Sequence, residues 1–267
     1  MSFANSRWRV GMVVLASALL PAIQASAETL RLDTETPLGD FPGEVCAVAA
    51  SPVGPSFVVG WNQSDSAPGG FRAFSADTRQ PISQPISLGP TNCSATEFSP
   101  DGKHLAVLTS NSRLLIWNTK DWKMVGQGTK RSWDWALAST PDNSEWITCG
   151  GHPSIVRWKM ATGEYLGEFR TSFKRIVSVR VTPDGKRIVY LGRSGNEFKL
   201  VVASFPDFKP LSETPAGQER SVLSRVALSP DGSRFAFATS DGRLWIGPTD
   251  DAKQVRQRNS NLTRTHN

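Results

Sequence analysis

The chain has 267 residues, enough for one large domain or two small ones, and its 22 glycines and 18 prolines are typical of a protein rich in turns. Its formal charge of +6 comes from the two ends, because Arg7 and Arg9 lie near the start, four basic residues lie in 253–267, and residues 28–252 are neutral. A nucleic-acid-binding domain needs a basic folded surface, so this distribution argues against a nucleic-acid partner.

Residues 1–27 have the pattern of a secretory signal peptide. Arg7 and Arg9 precede a short apolar run at 10–20, and the Ala-Ser-Ala sequence at 25–27 matches a cleavage site. The apolar run is shorter than the roughly 20 residues that span a bilayer as a helix. We therefore expect a cleaved leader, export to the periplasm or the extracellular space, and no membrane span in the mature chain.

A turn phrase, in its full form Ser/Thr-Pro-Asp-Gly, recurs five times. Its copies lie at 51–54, 99–102, 140–143, 182–185 and 229–232. The prolines of successive copies are 41 to 48 residues apart, which is the period of a four-stranded propeller blade. Proline fixes φ, aspartate bonds back to the backbone, and glycine accepts positive φ, so the phrase predicts a tight turn. Asn143 replaces glycine in the third copy, and asparagine also tolerates positive φ.

Short runs rich in Val, Ile, Phe and Trp flank every copy of the turn phrase. One run precedes the turn, a second follows it, and a third comes after another polar turn, as expected for successive strands. A fourth run is clear at 123–126 and 164–169 and weaker elsewhere, as the exposed outer edge of a blade allows. The sequence predicts an all-β protein: a β-propeller of four-stranded antiparallel blades, with about five blades visible.

The second and third copies resemble WD40 repeats. Residues 98–107 read Phe-Ser-Pro-Asp-Gly-Lys-His-Leu-Ala-Val and are followed by Leu-Ile-Trp-Asn-Thr at 115–119, while 155–159 read Ile-Val-Arg-Trp-Lys. The resemblance covers residues 45–250, and the segment 182–203 is similar to blades of TolB-type periplasmic propellers. The family's Trp-Asp dipeptide is altered in both copies and its Gly-His start is missing. We therefore expect the family's Asp-His-Ser-Trp hydrogen-bond chain to be broken.

The ends of the chain bear on how the ring closes. We assign residues 28–252 to the propeller and 253–267 to a polar, basic tail that is a poor strand candidate. Residues 29–33 alternate well, and we expect them to close the ring by pairing with the third strand of the last blade, near 244–246. Two alternatives stay open: an incomplete ring that a second chain completes by self-association, and a shortened gene product.

Histidines and carboxylates do not form a recognisable catalytic pattern. His104, His152 and His266 are far apart in sequence, and we expect all three at the surface. The recurring acids occupy the same place in the repeat, so we expect them to form turns; they are Asp101, Asp142, Asp184 and Asp231. We therefore expect no catalytic residues, no metal ligands and no cofactor.

Three cysteines remain, at Cys46, Cys93 and Cys149. None belongs to a CxxC pair, which argues against a structural metal site. Buried, apolar thiols are the favoured interpretation, and in an oxidising compartment any one pair could form a disulfide.

Tryptophans supply the candidate partner contacts. Trp122 lies in a turn and is the better candidate for exposure, whereas Trp133 and Trp135 flank Asp134 in a pattern that favours packing between blades. We select Trp122, Trp133 and Trp135 as possible contacts with an unknown protein partner. The function that we expect is a non-catalytic protein–protein interaction scaffold, with a small-molecule, carbohydrate or enzymatic site at the channel mouth as the alternative.

Overall fold

A computed structural model describes residues 38–130, 133–218, 225–238, 243–251 and 254–259. These residues form twenty strands in five four-stranded antiparallel sheets, and within them no helix occurs that could cross a membrane. The predicted all-β class and the four-stranded antiparallel sheets are confirmed. The predicted signal peptide at 1–27 and the segment 29–33 lie outside the described residues.

The strands of every sheet follow one another along the chain. The first sheet contains β1 (Val45–Ala50), β2 (Ser56–Trp61), β3 (Gly69–Ser75) and β4 (Ile86–Gly89). The second contains β5 (Cys93–Phe98), β6 (His104–Thr109), β7 (Arg113–Asn118) and β8 (Met124–Thr129). The third contains β9 (Asp134–Ser139), β10 (Glu145–Gly150), β11 (Ser154–Lys159) and β12 (Tyr165–Arg170).

The remaining two sheets have the same order. The fourth contains β13 (Arg175–Val181), β14 (Arg187–Ser194), β15 (Glu197–Ser204) and β16 (Pro210–Gln218). The fifth contains β17 (Ala227–Leu228), β18 (Arg234–Ala238), β19 (Arg243–Pro248) and β20 (Arg256–Asn259). Each copy of the turn phrase connects the first and second strands of its sheet.

Successive sheets pack face to face through apolar clusters. Phe71 and Trp117 meet between the first and second sheets, with ring centroids 4.8 Å apart. Similar clusters join the second to the third sheet, the third to the fourth, and the fourth to the fifth. Central strands are therefore buried on both faces, which explains why their sequences are apolar without clean alternation. This arrangement is propeller-like, although within the described residues the sheets do not close into a ring.

The outer strand of the fifth sheet comes from the C-terminal segment. Strand β20 pairs with β19, with Leu244 opposite Arg258, and β18 occupies the other side of β19. The prediction that residues 29–33 pair with this third strand is therefore wrong. So is the prediction that the start of the tail is a poor strand candidate. An outer strand is held by backbone hydrogen bonds and one edge faces solvent, so it needs little apolar character.

A β-bulge recurs near the start of the first strand in each of the first four sheets. The extra residues are Cys46, Ser94, Trp135 and Val177. A bulge leaves its residue outside the ladder and turns its side chain in a new direction. In this protein the bulge residues reach toward the following sheet: Cys46 bonds to Cys93, and Trp135 packs into the cluster between the third and fourth sheets.

Candidate functional site

The recurring aspartates form turns, as the sequence predicts. In four turns the carboxylate accepts a hydrogen bond from the backbone N–H two residues later, at 3.0 to 3.1 Å; the residues are Asp101, Asp142, Asp184 and Asp231. Each is engaged within its own turn and none faces another carboxylate of the set. They therefore do not constitute a paired-acid site.

A chain of four polar side chains crosses the third sheet. The indole Nε1–H of Trp158 donates to Thr148 Oγ1 at 2.9 Å, and the Thr148 hydroxyl donates to Asp134 Oδ2 at 2.7 Å. His152 Nε2 lies 2.5 Å from the other oxygen of Asp134. Thr148 is fully buried, while the His152 side chain keeps 20% of its surface exposed. Every buried polar atom in this chain is thus satisfied, which is the condition for a stabilising network.

This hydrogen-bond chain differs from the Asp-His-Ser-Trp chain of WD40 repeats, because aspartate rather than histidine bonds to the hydroxyl. One expectation is corrected: His152 is not an unengaged surface histidine, since it contacts Asp134 and is partly buried. Asp134 stands at the start of the blade, where the family pattern has histidine, and the histidine lies in the turn between β10 and β11. The acid and the imidazole have exchanged places, so a search for the Gly-His start misses the chain.

The second sheet lacks a chain of this kind in its described residues. The positions that correspond by strand register to Asp134 and Thr148 hold Cys93 and Val107, which cannot continue the chain. Trp117 keeps the place of the chain's tryptophan and packs against Phe71 instead. The Trp-Asp dipeptide alone does not reveal this hydrogen-bond chain. The signal in the sequence is the combination of Asp134, Thr148 and His152 in one repeat.

Trp133 lies beside this chain and is the most exposed large apolar residue of the described part. Its exposed fraction is 78%. The backbone beneath it is held closely, because the Gly151 N–H donates to the Trp133 carbonyl at 2.5 Å. A Cβ at Gly150 would lie 1.9 Å from that carbonyl oxygen, so only glycine fits there. The large indole is thus presented to solvent from a constrained backbone.

The other two candidate tryptophans are less available. Trp122 has a φ of 55° and is half-buried, with its ring centroid 6.3 Å from that of Phe71. Trp135 is half-buried in the cluster between the third and fourth sheets. The structure therefore separates the three: Trp135 packs between sheets as expected, Trp133 is exposed rather than packed, and Trp122 is less exposed than the sequence predicts.

Two of the three cysteines meet. The Cys46 thiol donates to the Cys93 carbonyl at 2.7 Å, and its hydrogen bond with the Cys93 side chain lowers the pKa of Cys46. The same contact, followed by burial, raises the pKa of Cys93. Cys149 lies fully buried among apolar side chains, and burial raises its pKa. In the part of the chain that the structure describes, no three His, Cys, Asp or Glu side chains are grouped as a metal ion would require.

Comparison with known proteins supports the architecture. No model of a known protein family matches the chain. The telomerase protein component 1 of Rattus norvegicus, a WD40-containing protein, is 30% identical over 166 residues, which cover 54% of this chain and 6% of that protein. The hydrazine synthase of Kuenenia stuttgartiensis superposes with a TM-score of 0.69 at 17% identity, covering 86% of this chain and 68% of that one. The chain thus matches a small part of the first protein, and the second likeness concerns the fold alone.

Proposed function

We propose that the mature chain is an exported β-propeller that acts as a non-catalytic scaffold for protein–protein interaction, with Trp133 at the centre of its contact surface. The observation that carries this proposal is the 78% exposure of Trp133. Tryptophan is strongly enriched among the residues that dominate binding energy at protein interfaces, and an indole left in water gains most when a partner covers it.

The surroundings of Trp133 favour a rigid contact. The next residue, Asp134, is fixed by Thr148 and His152, and the carbonyl of Trp133 is fixed by Gly151. A side chain on a constrained backbone loses less conformational entropy on binding. The hydrogen-bond chain of the third sheet therefore has a use in this proposal, because it holds the strand end that presents the indole.

The Asp134–His152 pair does not favour catalysis. The hydroxyl bonded to this pair belongs to Thr148, which is fully buried and already donates to Asp134. A nucleophile must reach the substrate and be within reach of its base, and Thr148 meets only the second condition. The Asp134–His152 pair thus gives no support to the enzymatic alternative, with a site at the channel mouth.

Export and ring closure are parts of the same proposal. The pattern of 1–27 supports a cleaved leader, and the five sheets, packed in chain order, support one five-bladed ring. A light-scattering mass equal to one mature chain is expected; a dimer mass favours self-association of incomplete rings.

The functional test is capture of a partner by the mature chain, residues 28–267, from a periplasmic extract. We expect one protein at a one-to-one ratio, lost with Trp133→Ala and kept with Leu211→Ala, which removes an exposed side chain from a different sheet. Binding to a sugar array with no captured protein would contradict the scaffold proposal and favour the alternative.

A further inference from the structure

Two charged side chains, Glu97 and Arg180, meet where the first strands converge, and a third, Arg225, reaches the same strand as Glu97. Glu97 lies on β5, Arg180 on β13, and Arg225 two residues before β17. Arg180 Nη1 is 3.7 Å from Glu97 Oε2, and Arg225 Nη2 is 3.4 Å from the Ser94 carbonyl. These contacts join the fourth and fifth sheets to the second, across the third, so the three residues lie near a common axis. We call Glu97, Arg180 and Arg225 the axial cluster.

The carboxylate of this cluster is already engaged. Glu97 Oε1 accepts hydrogen bonds from the backbone N–H and the hydroxyl of Ser139, at 2.7 and 2.8 Å. Arg180 uses Nη1 for the carbonyls of Leu137 and Val179, at 2.8 and 2.9 Å. Its Nε and Nη2 donors have no partner among the described residues.

Arg225 is the least satisfied member. Its contact with the Ser94 carbonyl is long for a hydrogen bond, and no carboxylate of the described residues lies within 4.0 Å of it. Arg225 is exposed to solvent, yet burial among protein atoms lowers its pKa, and the Arg180 guanidinium lowers it further.

The cluster carries two guanidinium groups and one carboxylate. Its net charge is positive, and within the described part of the chain the Arg180 Nε and Nη2 donors have no hydrogen-bond partner. A guanidinium presents its donors as a planar fork that matches two oxygens of a carboxylate or a phosphate. Such an anion would also relieve the repulsion between the two arginines.

We propose that the axial cluster binds an oxyanion, the carboxylate or phosphate group of a small ligand, with Arg225 and the free donors of Arg180 as its ligands and Glu97 as a positioning residue that orients Arg180. This site goes beyond the scaffold function, since it shares no residue with the proposed Trp133 contact. Either can exist without the other.

The test is calorimetric titration of the mature chain with sodium phosphate and with sodium succinate, at matched ionic strength against sodium chloride. We expect saturable one-to-one binding of at least one of the two anions. Arg225→Gln should weaken it about tenfold or more, because charge-assisted hydrogen bonds contribute that much. Binding of phosphate alone assigns a phosphate ligand, and binding of succinate alone assigns a carboxylate ligand.

Matched variants separate the site from general charge effects. Arg170→Gln removes the same charge from the exposed outer strand β12 and should leave the affinity unchanged. Arg225→Lys keeps the charge and loses the fork, so it should weaken binding without lowering the melting temperature, even if Arg225→Gln folds poorly. Absence of saturable binding, or an equal loss with Arg170→Gln, would overturn the proposal.

Discussion

The backbone N–H of Asp101 donates a 2.9 Å hydrogen bond to the side-chain oxygen of Asn143, in the turn of the next sheet. Asn143 occupies the place that glycine holds in most copies of the turn phrase and keeps a φ of 59°. From the second copy onward, the fourth residue of the turn faces the turn before it: a Cβ at Gly232 would lie 2.5 Å from Pro183. The one departure from glycine thus supplies a bond between neighbouring sheets.

Replacing Asn143 tests this bond and the backbone conformation separately. Asn143→Gly removes the hydrogen bond but allows positive φ, and should lower the free energy of unfolding by about 1 kcal/mol. Asn143→Ala removes the bond and keeps a Cβ at positive φ, so it should be about 1 kcal/mol less stable than Asn143→Gly. Urea denaturation of both variants measures the difference, and equal stability of Asn143→Ala and the wild type would contradict it.

The buried chain in the third sheet should be sensitive to loss of one hydroxyl. Thr148→Val conserves shape but leaves the Trp158 indole N–H and one Asp134 oxygen without their partner. We expect a loss of roughly 2–3 kcal/mol in the free energy of unfolding, because unsatisfied buried polar groups are costly.

The matched control for that variant is Thr96→Val in the second sheet. Thr96 is also buried, 5% exposed, and its hydroxyl has no hydrogen-bond partner among the residues that the structure describes. The same substitution should therefore be neutral or stabilising there. If both variants lose a similar free energy of unfolding, the hydrogen bonds of Thr148 do not stabilise the fold specifically.

The cysteine contacts predict which pair oxidises. Each thiol loses one proton and one electron, and oxidised glutathione accepts both electrons and both protons as it is reduced to two thiols. We expect one disulfide between Cys46 and Cys93 and a free Cys149, because the first two interact and the third is buried away from them. Peptide mapping after oxidation identifies the pair; Cys149→Ser should leave it intact, and a disulfide that includes Cys149 would refute the assignment.

Stability should fall in acid as the turn aspartates become protonated. The Ser229 hydroxyl bond and the Ser233 backbone N–H lower the pKa of Asp231 from 3.8 to about 2. A lowered folded-state pKa stabilises the fold above pH 3.8, and this contribution is lost as the pH falls through about 2. Urea midpoints measured across this range should fall less steeply for Asp231→Asn.

Asp207→Asn is the control for the acid measurement. Asp207 is exposed and makes no side-chain hydrogen bond among the described residues. The urea midpoint of Asp207→Asn should depend on pH as the wild-type midpoint does. If it instead depends on pH as weakly as that of Asp231→Asn, the hydrogen bonds of the turn are not the cause of the acid sensitivity.

The blades were predictable because their signals are local. Proline, aspartate and glycine set each turn within four residues, and the flanking apolar runs follow directly, so the strand order could be derived from spacing. The outer strand β20 was not predictable in this way. Its partners are backbone groups of β19, and its side chains, Arg256 among them, carry no apolar pattern that would mark a strand.

The candidate sites depended on proximity that spacing does not encode. Asp134 and His152 exchange the usual places of the family's acid and imidazole, which hides their chain from a search for the motif. Glu97, Arg180 and Arg225 are distant in sequence and meet only because the sheets curve about an axis. Trp122 is half-buried because it packs near Phe71, whereas Trp133 stays exposed. No local sequence pattern indicates this difference.

The most direct test of the scaffold function is the dissociation constant of the captured partner for the Trp133→Ala variant. If Trp133 is the centre of the contact surface, its removal should raise the dissociation constant about thirtyfold or more, as expected for a dominant interface residue. Leu211→Ala should leave the constant unchanged. A Trp133→Ala constant within twofold of the wild-type value, for a variant that melts normally, would contradict the proposal.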